Sequence, residues 1–168
     1  MAPARQAVGK IDRVGEFVVG SDDPRVDDVR ALLGVHLRFA NEHSPPEDVH
    51  ALDLDGLLSN SVSFFSIRED GELLGIGALK RLDDSHAELK SMHTAENARG
   101  RGVGRAMVEH LVEVARARGC DRVSLETGSM GAFAPARTLY QSAGFRQCEP
   151  FADYRPGPNS ICMTLDLG

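Results

Sequence analysis

Arg99-Gly100-Arg101-Gly102-Val103-Gly104 is the stretch on which the reading of this chain turns. It follows directly on an extended segment, Ala87 to Thr94, and runs into an amphipathic helix that opens with Arg105-Ala106-Met107-Val108. A glycine-rich turn in that position leaves several backbone N–H groups unpaired. The positive end of a helix dipole lies behind them, which suits a pyrophosphate. Gly100, Gly102 and Gly104 let phosphate oxygens approach the backbone closely, and the arginines add charge. The P-loop pattern fails, because Gly104 is followed by Arg105 and Ala106 instead of Lys and then Ser or Thr. The dinucleotide fingerprint also fails, since no glycine stands three residues beyond Gly102. The plain alternative is a glycine-rich start to a helix that binds nothing.

Working outward, the 168 residues read as a single domain, with residues 1–10 as a loose tail. A net charge of −6, with no basic run outside the glycine turn, argues against a nucleic-acid partner. No apolar run approaches membrane-spanning length, and the N-terminus lacks the apolar core of a signal peptide. No membrane partner is therefore expected, and the location expected is cytoplasmic. Cys120, Cys148 and Cys162 are odd in number and form no C-x-x-C, which leaves them as packing residues. His36, His43 and His50 recur at even spacing, but Pro45 and Pro46 interrupt any shared helix face. No metal is expected.

Periodicity supplies the remaining elements. Glu16 to Gly20 alternate as a first strand, and Ser21-Asp22-Asp23-Pro24 reads as a helix start. That helix carries Val26, Val29, Leu32, Leu33, Leu37 and Phe39 on one face to about Ala40, before Ser44-Pro45-Pro46 breaks the chain. Asp53 to Leu58 is a short second helix. Ser61 to Arg68 and Glu72 to Leu82 are strands joined by the hairpin turn Glu69-Asp70-Gly71. The strand Ala87 to Thr94 leads to the glycine turn and to a helix over Gly104 to Arg118, capped by Gly119. Arg122 to Thr127 is a strand and Pro135 to Ala143 a helix closed by Gly144. Late strands fall near Phe145 to Gln147 and Ile161 to Leu167. The order is β-α-α-β-β-β-α-β-α-β-β.

Read as Arg-x-x-Gly-x-Gly, residues Arg99, Gly102 and Gly104 resemble the acyl-CoA pyrophosphate loop of the GNAT superfamily of N-acetyltransferases. The element order is that superfamily's over essentially the whole chain. Leu139-Tyr140-Gln141-Ser142-Ala143-Gly144-Phe145 resembles its "LY-x-x-x-GF" segment. Glu126 to Met130, Phe133 to Arg137 and Pro150 to Tyr154 look like a bacterial subgroup of the YsnE type. The resemblance implies an α/β (α+β mixed) fold. Its sheet would be central, twisted, mixed and mostly antiparallel, of roughly six to seven strands flanked by about four helices. It implies acetyl-CoA as cosubstrate and no metal. The acetyl group would go to a primary amine, on a small molecule or a protein, by direct attack in a ternary complex. The alternative is a non-catalytic acyl-CoA-binding or sensor domain. A homodimer is compatible with either.

By the same resemblance, Met92, His93 and Thr94 pair their backbone with the pantetheine arm, as an added strand would. The Met92 N–H would face the thioester oxygen. Arg99, Gly100, Arg101, Gly102, Val103 and Gly104 hold the pyrophosphate. Tyr140 stands where the superfamily places the phenol that protonates the leaving thiolate, though it could simply pack its helix on the sheet. Glu88 matches the glutamate that serves as base in histone-type members. Alternation sets Glu88, Lys90, Met92 and Thr94 on one face. Glu88 could instead be a paired surface charge, with Glu126 as base or amine anchor. Phe133 stands where many relatives carry asparagine, so that polar role is not carried over. The segment Ser129 to Phe133 is expected to shape the acceptor pocket.

Overall fold

The computed structural model describes residues 12–14 and 17–168. The expected tail, and Glu16 at the head of the first expected strand, lie outside the described residues. The strands are β1 (Asp12–Val14), β2 (Phe17–Ser21), β3 (Val62–Glu69), β4 (Glu72–Arg81), β5 (His86–Thr94), β6 (Arg122–Gly128), β7 (Arg146–Cys148) and β8 (Ser160–Asp166). The helices are α1 (Asp27–His43), α2 (Leu54–Leu57), α3 (Val103–Ala117) and α4 (Ala134–Ser142). From β2 onward this is the order read from the sequence, and the three-residue β1 adds an eighth strand. All strands share one sheet in the order β1-β2-β3-β4-β5-β6-β8-β7. Every neighbouring pair is antiparallel except β5 and β6, which run parallel. Among the described residues no helix is long and apolar enough to cross a membrane.

Two apolar layers hold the sheet. On one face Met107, Leu111 and Ala115 of α3 pack on Phe65, Leu79, Leu89 and Leu125. On the other, Val29, Leu32 and Leu33 of α1 pack on Phe64, Ile76 and Ala78. The two layers use alternate residues of β3 and β4, as pleated strands require. The β3–β4 hairpin turns through Asp70 and Gly71, both at positive φ, which is the backbone the Asp-Gly pair favours.

Helix α1 begins at Asp27, later than the Ser21–Pro24 signal suggests, and its N-cap residue Val26 makes no side-chain cap. Asp22 is engaged elsewhere. It accepts from Ser66 Oγ at 2.6 Å and Arg68 Nη2 at 3.0 Å, while Arg68 Nη1 reaches Asp28 at 2.6 Å. A tertiary ion pair thus outcompetes the local cap and ties the start of α1 to β3.

The feature that shapes the site is a bulge in β5. Ile76 pairs with His93 and Ala78 with Lys90, so Gly77 alone faces both Ser91 and Met92. Ser91 takes the extra residue's place at φ +55°. The bulge overturns the simple alternation expected along this strand. Glu88 and Lys90 lie on the α1 face, but Met92 and Thr94 fall on the α3 face. A Cβ at Gly77 would meet Met92 Sδ at 2.8 Å and Met107 Cγ at 2.7 Å, which fixes that side. Ser91 is buried, and its hydroxyl has no partner among the described residues. Ser91→Val, with a branched Cβ at positive φ, is expected to cost about 1–3 kcal/mol in chemical denaturation. Ser91→Gly is expected to match or exceed the parent, because glycine adopts this φ without strain.

Candidate functional site

On the approach to the bulge β5 and β6 part. They keep register only where His86–Glu88 face Arg122–Ser124, and no pairing follows toward their C-terminal ends. A cavity of about 540 Å³ fills the opening, lined by Leu89 to Thr94 on one side and Leu125 to Gly128 on the other. The parting leaves backbone N–H and C=O groups of β5 facing the cavity without a strand partner. An extended ligand can complete such an edge.

At the α3 end the cavity reaches the glycine turn. Gly100 and Gly102 adopt φ +77° and +82°, and a Cβ on either would meet nothing within 4 Å, so the concave face of the turn is clear. Gly104 is small for a different reason: a Cβ there would stand 3.0 Å from Leu139 Cδ2. The first helical bond of α3 to a turn carbonyl is Ala106 N–H to Gly102 O. The amides of Val103, Gly104 and Arg105 therefore stand at the helix start without intrahelical acceptors. Arg99 and Arg105 line the cavity beside them. Arg101 does not, because its guanidinium donates to Glu69 Oε2 at 2.7 Å and stacks over Phe17. The turn thus offers an anion fixed amides, a helix dipole and two guanidinium groups.

Tyr140 comes to the same cavity from α4. It is buried, its ring meets Phe145 edge-on, and its hydroxyl has no partner among the described residues. Burial pushes its phenol well above the usual range, so it stays protonated through neutral pH. Met92, His93, Thr94, Gly100, Gly102, Val103 and Gly104 also line the cavity, so most of the sequence-selected residues meet in one place.

Glu88 does not join them. It is 2% exposed and absent from the cavity wall. Tyr154 Oη donates to its Oε2, and Lys90 Nζ stands 3.6 Å from the same oxygen. Lys90 donates further to the Tyr154 hydroxyl and to the His50 carbonyl, both at 2.9 Å. Burial first, and then the adjacent Glu88 charge, raise the Tyr154 phenol. Glu126 faces the cavity instead. It accepts from Ser160 Oγ at 2.8 Å, and burial raises its carboxyl above the usual carboxylate value, with Ser160 opposing.

A row of rings crosses the opening on this α1 side. His36 meets His93, His93 meets Phe39, and Phe39 meets Phe133 at 5.3 Å. Phe133 is held over β6 by Gly128, where a Cβ would stand 2.4 Å from the ring. His36 Nδ1 and His93 Nδ1 are 3.1 Å apart, so one must carry hydrogen and the other a lone pair. Burial, then the neighbouring His93 and Lys90, hold His36 down at about 4. Burial and Arg99 lower His93. The even spacing of His36, His43 and His50 gave no hint of this partner, which comes from β5. The cysteine thiols are pushed up by burial, Cys162 to about 11, so none is a thiolate at neutral pH.

The profile of the Acetyltransferase (GNAT) family matches residues 27–145. A Bacillus subtilis protein named "Uncharacterized N-acetyltransferase YsnE" is 48% identical over 146 residues, covering 87% of this chain and 97% of that protein. An Escherichia coli protein, "Uncharacterized N-acetyltransferase YedL", is 46% identical over 151 residues, covering 90% and 95%. Among solved structures, a GNAT family acetyltransferase from Elizabethkingia anophelis with acetyl-CoA bound superposes with a TM-score of 0.68. It covers 90% of this chain and 99% of its own at 18% identity, a likeness of fold.

The depressed His36 has a consequence for stability. The unfolded chain binds a proton at this position below about pH 6.5, whereas the folded chain resists it until about pH 4. Folding stability should therefore fall as pH is lowered through that window. Denaturation midpoints between pH 7 and pH 4 should show a shallower fall in His36→Gln than in the parent.

Proposed function

The chain belongs to the GNAT acetyltransferase family, and from that premise we propose that it is an acetyl-CoA-dependent N-acetyltransferase acting on a primary amine by direct transfer. One observation carries the reading: the parted β5–β6 edge, the glycine turn and Tyr140 open onto a single cavity. The residues present suit acetyl-CoA. The clear concave face at Gly100 and Gly102, with Arg99 and Arg105, suits the pyrophosphate, and the unpartnered edge at Met92, His93 and Thr94 suits the pantetheine arm. Acetyl-CoA supplies an activated acyl group on a thiol that leaves.

The two faces of the sheet divide the work. The cofactor side is the α3 side, with the turn and Tyr140. The amine side is the α1 side, with Glu126. We assign the base to Glu126 instead of Glu88, because Glu126 faces the cavity while Glu88 is sealed under Tyr154. A raised carboxyl is a better match to an amine's proton. Glu126 takes the proton from the ammonium, the freed nitrogen bonds to the acyl carbon, and the carbon–sulfur bond breaks. Tyr140 gives its proton to the departing sulfur, and the second amine proton leaves to solvent.

Two variants test this. Gly102→Val with Gly104→Val should lose most acetyl-CoA affinity in calorimetry while keeping the far-ultraviolet dichroism of the parent, and unchanged affinity in the folded variant contradicts the cofactor site. Tyr140→Phe should lower thiol release by about a hundredfold or more, with acetyl-CoA affinity little changed. Turnover within a few-fold of the parent would make Tyr140 a packing residue.

A further inference from the structure

The acetyl-transfer reading leaves the kind of amine open, and the charges on the α1 side of the cavity narrow it. Lys90 is the one lysine or arginine lining that side among the described residues; Arg99 and Arg105 belong to the glycine turn. Its ammonium donates to the His50 carbonyl and the Tyr154 hydroxyl and pairs with the Glu88 carboxylate at 3.6 Å. Glu88 also neutralises its charge. Lys90 is thereby held and neutralised inside the protein, which leaves it a poor partner for a substrate anion. The two carboxylates lining this side are differently placed. Asp48 accepts from Asn159 Nδ2 at 3.1 Å, which ties the turn after α1 to the segment before β8. Glu126 holds only a neutral hydroxyl donor, Ser160, and no cation lies within ion-pair distance of it among the described residues.

The remaining wall is formed by rings and apolar side chains, with the His50 imidazole beside Lys90. Phe39 and Phe133 close the opening edge to face, and His36 and His93 share a single hydrogen between their facing nitrogens. Both imidazoles are held neutral at physiological pH by burial. An ammonium entering here meets a carboxylate that has no ion-pair partner among the described residues and two aromatic faces, each of which attracts positive charge. A carboxylate on the adjacent carbon would meet Glu126 and Asp48, and among the described residues the one lysine or arginine on this side is already neutralised. Like charges brought together across a binding site oppose binding strongly.

We propose that the acceptor is a small primary amine with an apolar body and no carboxylate beside the amine. Glu126 selects the ammonium, and the Lys90–Glu88–Tyr154 cluster withholds the one cation that would recognise an amino acid. This rests on the acetyl-transfer reading above and extends it to the substrate.

The test uses matched pairs that differ only in the carboxylate: phenethylamine against phenylalanine, and 3-methylbutylamine against leucine. Thiol release from acetyl-CoA should give a kcat/KM at least about tenfold higher for the carboxylate-free member of each pair, in keeping with like-charge rejection. Calorimetric titration of each compound into the protein saturated with CoA reads the same preference without turnover. In that titration Glu126→Gln should weaken amine binding and narrow the ratio within each pair, leaving CoA affinity unchanged. Equal or better use of the amino acids, or equal binding within the pairs, overturns this proposal while acetyl transfer stands. A protein that binds neither CoA nor acetyl-CoA overturns both.

Discussion

The extra residue at Ser91 is the constraint on which the rest of the site depends. A regular β5 would carry its pairing with β6 onward from Glu88 and Ser124, and the sheet would close. With Ser91 at positive φ opposite Gly77, the strand bends away and the parallel pairing ends after three residue pairs. The bend leaves a backbone edge without a partner and opens a passage between the two faces of the sheet. It also changes which residues look each way, sending Met92 toward α3 and His93 toward α1. The buried Ser91 hydroxyl, without a partner among the described residues, and the left-handed backbone both cost stability, and α3 packing against Met92 and Leu89 keeps the arrangement in place.

The passage is electrically asymmetric. On the α3 side the helix dipole, the free amides of the glycine turn and two arginines favour anions. On the α1 side Lys90 is neutralised by Glu88, His36 and His93 are held neutral by burial, and among the described residues no cation lies within ion-pair distance of Glu126, so positive charge is favoured there. Under the proposed function, an anionic cosubstrate and a cationic acceptor would be drawn to opposite sides of one cavity. The arrangement depends on Glu88, whose burial beside Lys90 and Tyr154 suits a positioning charge better than a group that must exchange protons with a substrate.

Much of this was legible in the chain. Gly100, Gly102 and Gly104 announce themselves because positive φ and close approach leave few other choices, and the same logic marks the Asp70-Gly71 hairpin. Apolar periodicity located α3 and β3 through β6 within a residue or two. What escaped depends on contacts between distant segments. The start of α1 moved because Asp22 pairs with Arg68 from β3. The face of Glu88 relative to Met92 was misjudged because a bulge at a serine has no strong sequence mark. Tyr154 lies 66 residues from Glu88, and no local pattern could pair them. His36 and His93 met for the same reason, across α1 and β5.

The most direct measurement is hydrogen–deuterium exchange of the protein with and without acetyl-CoA, resolved to single amides. If the parted strand edge and the glycine turn receive the cosubstrate, protection should rise at residues 91–94 of β5 and 102–105 at the start of α3. The paired β3–β4 hairpin should be little changed. Protection that rises elsewhere while these amides exchange as before would contradict the account.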